Sequence, residues 1–278
     1  MRRLPSPVAS ENAMPLDPVA WEYLLPEEFE RRLAARPVVY LPLGLCEPHG
    51  HIAPFGLDTI KARYLCEEAA RRFGGIVAPT MAYHIHETGY HAPWLREVMG
   101  DVNPRLAALP PHIVLEALLY QLRAFRNAGF SAAVVLSGHH GGNQEDLRRV
   151  ARTFCDAYPF EVFACSDPEL VEGAYEGDHA GFYEISQLLA IDPSLIDLSR
   201  VERTRSDPLG RFAQNPDAGK ANAAEGRKML EAALSSVKRI VDGFAPRTGA
   251  APHIPMDAMA PLWAEIDAQR GRWRTLNL

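Results

Sequence analysis

Basic residues are in short supply in this chain. Lys and Arg total 29 against 35 Asp and Glu, a formal net charge of −6, and the sequence pI is near 5.9. That balance excludes the electropositive footprint of a nucleic-acid binder. Long apolar runs are missing too; none approaches the roughly 20 residues that a helix needs to cross a bilayer. The opening stretch MRRLPSPVASENAMPLDP begins with two arginines but lacks the apolar segment of a secretory signal. Cysteine is sparse, and Cys46, Cys66, Cys155 and Cys165 show neither CxxC nor zinc-finger spacing. This argues against a disulfide framework and reads as the reduced thiols of a cytoplasmic protein.

What remains has ordinary globular composition, 47% hydrophobic and 23% charged over 278 residues, enough for one large domain or two small ones. Residues 1–16 read as a flexible N-terminal tail, 17–242 as one domain and 243–278 as a C-terminal arm. The arm is rich in proline, alanine and charge, carries Trp263 and Trp273, and is expected to pack on the domain or on a neighbouring subunit. Helical periodicity is visible over 21–36, 57–73, 112–127, 143–158 and 220–241, with a further helix starting near His179. Short apolar runs at 38–45, 76–83, 131–138 and 160–165 read as strands. Alternating strands and amphipathic helices predict a single compact α/β domain, its mainly parallel sheet flanked by helices on both faces.

Three segments at predicted strand ends, or at a predicted helix start, carry reactive side chains. The first is Cys46-Glu47-Pro48-His49-Gly50-His51, directly after 38–45. Residues two apart in extended backbone project to one side, so Glu47 and His49 can enter one crevice. Asp58, where the next helix starts, can reach back and bridge two ions. Carboxylate with imidazole suits Zn²⁺ or Mn²⁺ better than an all-oxygen Ca²⁺ shell. The second segment is Ser137-Gly138-His139-His140-Gly141-Gly142-Asn143. Its histidines can bind metal; the alternative is a plain strand-to-helix turn with Asn143 as N-cap. Phosphate binding at this glycine-rich turn is poorly supported, because no GK[ST] follows. The third, Gly177-Asp178-His179-Ala180-Gly181-Phe182-Tyr183-Glu184-Ile185-Ser186, sets His179 and Glu184 five residues apart. They share a side only if His179 precedes the helix; the alternative is an Asp cap and a surface Glu. A fourth stretch, AYHIHETGYHAPW, gathers His84, His86, His91 and Trp94.

In order and spacing these motifs resemble the creatininase (creatinine amidohydrolase) family. LPLGLCEPHGHIAPFGLD is similar to its Glu-Gln-His-Gly-Pro-His-Leu-Pro motif and following Asp, SGHHGGN to its Asn-Gly-His-Gly-Gly-Asn, and HAGFYEIS to its His-Ala-Gly-x-x-Glu-Thr-Ser. NPDAGKANAAEG is a weaker echo of its Gly-Asp-Pro segment. The resemblance implies two divalent ions per subunit, zinc or manganese with iron as a third option, bridged by Asp58. Glu47 and the second-motif histidine would complete one position and His49 the other. It also implies a homo-oligomer, commonly a hexamer, acting on a small molecule with neither nucleic acid nor membrane as partner. The reaction it implies is hydrolysis of a C–N bond in an amide, cyclic amide or formamide, with His179, supported by Asp178, moving a proton. Hydrolysis of a C–C bond in a cyclic ketone, or a non-catalytic metal- or ligand-binding role, are the alternatives. His139 and His140 both fit the second motif; the strand end favours His139 as ligand and leaves His140 to the substrate. His86, His91, Trp94 and Tyr183 are the other expected substrate contacts. Pro48 replaces the motif's Gln, and glycines stand where creatininase proper has a second-motif glutamate. Glu184 is expected to replace that glutamate on the second ion. No Trp occurs between Trp94 and Trp263, where creatininases carry substrate tryptophans, which points away from creatinine itself.

Overall fold

The structure, a computed structural model, describes residues 18–89, 91–141, 143–205, 215–245 and 252–277; the expected tail at 1–16 lies outside them. In chain order its elements are α1 (Pro26–Ala35), β1 (Val38–Leu43), α2 (Leu57–Phe73), β2 (Ile76–Val77), β3 (His84–Ile85), α3 (His91–Met99), β4 (Ala108–Leu109), α4 (Pro111–Asn127), β5 (Ala132–Ser137), α5 (Asn143–Ala157), β6 (Glu161–Ser166), α6 (Phe182–Ile191), α7 (Ala223–Gly243) and α8 (Met259–Ala268). Strands β2, β1, β5 and β6 form a parallel sheet in that order, while β3 and β4 pair separately.

Every residue of β1 and β5 is buried, which is why both read as unbroken apolar runs. Their side chains still alternate between two layers. Val39, Leu41, Leu43, Ala133 and Val135 join the core formed with α4 and α5. Val38, Tyr40, Ala132, Val134 and Leu136 join the core formed with α2 and α7. The doubly covered α/β domain expected from the sequence is therefore the one observed. Among the described residues no helix is long and apolar enough to cross a membrane.

Departures from the expected elements have local causes. The helix anticipated over 21–36 is split: Trp21–Tyr23 makes a 3₁₀ turn and α1 begins at Pro26. Proline pushes the residue before it out of helical backbone, and Leu25 is extended, with ψ of 156°. The second strand shrinks to Ile76–Val77, because Pro79 has no N–H to offer a ladder. The helix anticipated near His179 starts at Phe182, and that anticipated from 220 starts at Ala223 behind the Asn222 cap, which accepts from Glu225 N–H at 3.0 Å.

The described C-terminal residues enter the main core. Ile254, Met259, Ile266 and Trp273 belong to the cluster of α4 and α5. Trp273 is fully buried, and its indole N–H donates to the Ile266 carbonyl at 3.3 Å. Beyond it, buried Asp146 of α5 accepts from Thr275 N–H at 2.9 Å, Thr275 Oγ1 at 2.8 Å and Arg274 N–H at 3.1 Å. The same strap runs against Gly89, where a Cβ would lie 2.7 Å from the Thr275 carbonyl oxygen. Truncating Trp273 to Ala should cost about 3–5 kcal/mol, the usual range for a buried large aromatic, seen as a lower urea midpoint with unchanged slope. A loss under about 1 kcal/mol would mean that the segment is only loosely attached.

Candidate metal centre

The chain leaves β1 to return at β2 on one side and leaves β5 to return at β6 on the other. A crevice therefore opens at the carboxyl ends of β1 and β5, the switch point where open α/β sheets bind ligands. Two glycines set how closely α2 approaches it. A Cβ on Gly44 would lie 2.3 Å from Thr59 Cα, and one on Gly138 would lie 2.1 Å from the Asp58 carbonyl oxygen. With hydrogen at both positions, the first turn of α2 sits against both strand ends and seats Asp58 between them. Glu47 and His49 enter from the loop after β1, which Glu47 N–H closes onto the Phe55 carbonyl at 2.9 Å. His139 enters from the turn after β5, where Ser137 Oγ donates to the His139 carbonyl at 2.7 Å. Glu184 arrives on the first turn of α6.

These five side chains are all buried and form two groups that share one member. Glu47, Asp58 and His139 bring ligand atoms within 4.8 Å of one another, and so do His49, Asp58 and Glu184. In the first group His139 Nδ1 lies 2.8 Å from Glu47 Oε1 and 3.5 Å from Asp58 Oδ2. In the second His49 Nε2 lies 3.4 Å from Asp58 Oδ1 and 3.6 Å from Glu184 Oε2. His49 Nδ1–H donates to the Glu47 carbonyl at 2.9 Å, so the lone pair of a neutral ring sits on Nε2, toward its group.

The donor set fits divalent cations. Both Asp58 carboxylate oxygens, Glu47 Oε2 and His49 Nε2 are buried without a hydrogen-bond partner among the described residues, a cost of about 1–3 kcal/mol for each polar group. The carboxylates of Glu47, Asp58, Glu184 and the nearby Asp167 are buried with one ammonium, that of Lys61. Mixed carboxylate and imidazole donors suit zinc- or manganese-like ions. Without ions the histidines carry the compensating charge. Burial disfavours charge on His49 and His139, yet the facing carboxylates prevail and raise them to about 9 and about 10. The same histidines outweigh burial at Asp58 and hold its carboxyl well below the usual range.

Lys61 and Asp167 were not among the residues singled out from sequence. Lys61 Nζ lies 2.8 Å from Glu184 Oε1 and 3.2 Å from Asp167 Oδ1. Burial pushes the Asp167 carboxyl up to about 6, although Lys61 opposes it. One signal was available: a lysine three residues after Asp58 falls on the same helical face.

Beside the two groups lies a cleft of about 410 Å³, lined among others by His86, His91, Trp94, His140 and His179. His179 Nε2–H donates to the Pro48 carbonyl at 3.0 Å, its ring stacks on His49 at 4.7 Å, and its Nδ1 lies 3.9 Å from Glu47 Oε1. His86 and His91 stack at 4.5 Å. Burial, then the neighbouring His139, lowers their pKa values to about 2 and about 3, so both are neutral. His86 Nδ1 accepts the Glu87 N–H at 2.8 Å, which leaves the proton on Nε2, 3.6 Å from Glu47 Oε2.

One expected role is corrected. Tyr183 is no substrate contact: it points into the core of α2 and α7, and its hydroxyl donates to Asp167 Oδ2 at 3.1 Å. Neighbouring helical residues diverge by about 100°, so with Glu184 facing the crevice Tyr183 turns away. Asp178, expected to support His179, lines the cleft and caps α6. It accepts the N–H groups of Gly181 at 3.1 Å, Tyr183 at 2.7 Å and Glu184 at 3.3 Å, the donors a helix start leaves unpaired. His179 does precede the helix, the condition for it and Glu184 to share a side. His139 falls in the first of the two candidate groups, whereas His140 turns to Ser166 Oγ at 2.7 Å and still lines the cleft.

The sequence profile of the creatininase family, described as creatinine amidohydrolase, matches residues 22–241. The chain belongs to the creatininase family. It is 27% identical over 194 residues to a creatinine amidohydrolase of Pseudomonas putida, covering 63% of this chain and 72% of that one. It is also 27% identical over 121 residues to a 3-dehydro-scyllo-inosose hydrolase of Thermotoga maritima, covering 44% of this chain and 36% of the other. A solved creatininase described as the Mn form superposes with a TM-score of 0.68 at 22% identity, covering 82% of this chain and all of that one. A variant described as Zn-Zn type gives 0.67 at 22%, covering 82% of this chain and 99% of its own. These superpositions establish the creatininase fold.

Raised folded-state values at His49 and His139 make the metal-free protein pH-sensitive. Their contribution is fully present below the unfolded histidine value near 6.5 and is lost as pH rises through about 9 and about 10. Asp58 and Glu184, both shifted downward, add no slope there. Urea unfolding of metal-free protein should show stability falling from pH 6.5 to 10; a flat profile would contradict the charge balance described here.

Proposed function

We propose that this family member is a metal-dependent hydrolase that cleaves a C–N bond of an amide, cyclic amide or formamide in a small molecule. The observation that carries the reading is the pair of buried donor groups sharing Asp58, beside a cleft that Glu47, His139 and Glu184 help to line. Glu47, Asp58 and His139 would hold one ion, and His49, Asp58 and Glu184 the other. Zinc and manganese are the candidates, in keeping with the manganese and Zn-Zn creatininases. Bound there, divalent ions supply Lewis acidity, which activates water near neutral pH and polarises a carbonyl.

The chain's own residues supply proton handling and orientation. Because His179 Nε2–H is committed to the Pro48 carbonyl, Nδ1 is the basic atom of the neutral ring. It can take a proton from the attacking water and return it to the leaving nitrogen. His86 presents Nε2–H as a donor to substrate oxygen, while Trp94 and His91 wall the cleft against water. The Thermotoga relative is by name a hydrolase of an inosose, a carbon ring, which keeps C–C cleavage of a cyclic ketone as the second reading.

Chelation should abolish turnover of a panel of lactams, imides, formamides and cyclic diketones, and Mn²⁺ or Zn²⁺ should restore it. Asp58→Ala should lose both ions, Glu184→Ala should weaken mainly one, and His139→Ala should lose more metal than His140→Ala. Full turnover by protein shown metal-free by elemental analysis defeats the reading; cleavage confined to the diketones selects the second.

A further inference from the structure

We propose that Lys61 is a positioning residue, which holds Glu184 to a single ion-facing oxygen and so makes the second ion position different from the first. The inference rests on the two-ion reading above. Lys61 lies one turn along α2 from Asp58, so one helix brings both the shared carboxylate and the ammonium. Its side chain is completely buried. The ammonium sits 2.8 Å from Glu184 Oε1, 3.2 Å from Asp167 Oδ1 and 5.7 Å from the centre of the Tyr183 ring. Asp167 is in turn held by the Tyr183 hydroxyl at 3.1 Å.

Stability alone is a poor reason for this arrangement. Exchanging a buried ion pair for apolar side chains of similar volume is often neutral or stabilising, and Leu57, Ala62 and Leu65 beside Lys61 on α2 are buried and apolar. What the ammonium does is divide the labour of the Glu184 oxygens. Oε1 is engaged by Lys61; Oε2 accepts the Ala180 N–H at 2.9 Å and faces His49 Nε2 at 3.6 Å. Only Oε2 is left to meet an ion. Among the described residues no ammonium pairs with Glu47; imidazoles face it, His139 at 2.8 Å and His86 at 3.6 Å. The second position thus meets its ion through a single carboxylate oxygen, which Lys61 keeps turned toward it.

The test removes the pair without changing the charge of the site. In the full chain, Lys61→Met with Asp167→Asn should leave the first ion within about twofold of its original affinity and weaken the second about 10–100-fold, the usual cost of losing a group that orients a ligand. Binding is read by Mn²⁺ titration with elemental analysis and by the EPR signature of coupled manganese, which should give way to that of a single ion. Lys61→Gln with Asp167→Asn keeps a donor for Oε1 and should recover most of the second-site affinity. Equal losses at both positions would reveal a merely structural role, and no loss at either would show that Lys61 orients nothing; each overturns the proposal. If the Met variant does not fold, a crystal structure of the Mn-loaded original chain decides: Glu184 bound through Oε2 alone supports the proposal, and bidentate binding sinks it. An original chain that takes up fewer than two ions fails the two-ion reading, and this inference with it. One that takes up two, with the Met variant indistinguishable from it, fails this inference alone.

Discussion

One buried carboxylate, that of Asp58, organises the carboxyl ends of β1 and β5. Neither of its oxygens has a hydrogen-bond partner among the described residues, in a setting where an isolated charge is very costly. Everything around it answers that cost. Imidazoles approach from two loops, the glycines at 44 and 138 let the helix start come close enough, and a lysine one turn on offsets the neighbouring carboxylates. The site is a charge balance before it is a catalyst, and its pH behaviour and its fit to divalent ions are two expressions of that balance.

Much of this was legible in the chain. Glu47 and His49 are two residues apart after an apolar strand, and Asp58 marks the next helix start. Such short-range spacings survive any detail of tertiary packing and bring these three side chains toward one crevice; their division between two ions was implied by the resemblance to the creatininase family. The sheet was equally legible, because β1 and β5 are buried on both faces and read as continuous apolar runs.

The parts that were missed depend on contacts distant in sequence or on short elements. Lys61 meets Glu184 across 123 positions, so its place three residues after Asp58 marks its helical face but not the carboxylate it meets. Strands β3 and β4 have two residues each, too few for periodicity to register. That the Asp178 carboxylate accepts N–H groups at the start of α6 depends on where that helix begins, which periodicity does not fix. Tyr183 adjoins Glu184 in sequence, but adjacency in a helix is divergence in space.

The C-terminal strap has a consequence for the order in which the molecule would come apart. The loop leading into α3, which carries His91 and Trp94 of the cleft wall, rests at Gly89 against backbone near the end of the chain. The ligand groups are anchored instead by strand ends and by the first turns of α2 and α6. Fraying of the strap is a local opening of the kind that precedes global unfolding. It would loosen the entrance while the floor stayed assembled, so mild heat or proteolysis would first blur which molecules enter and only later empty the site.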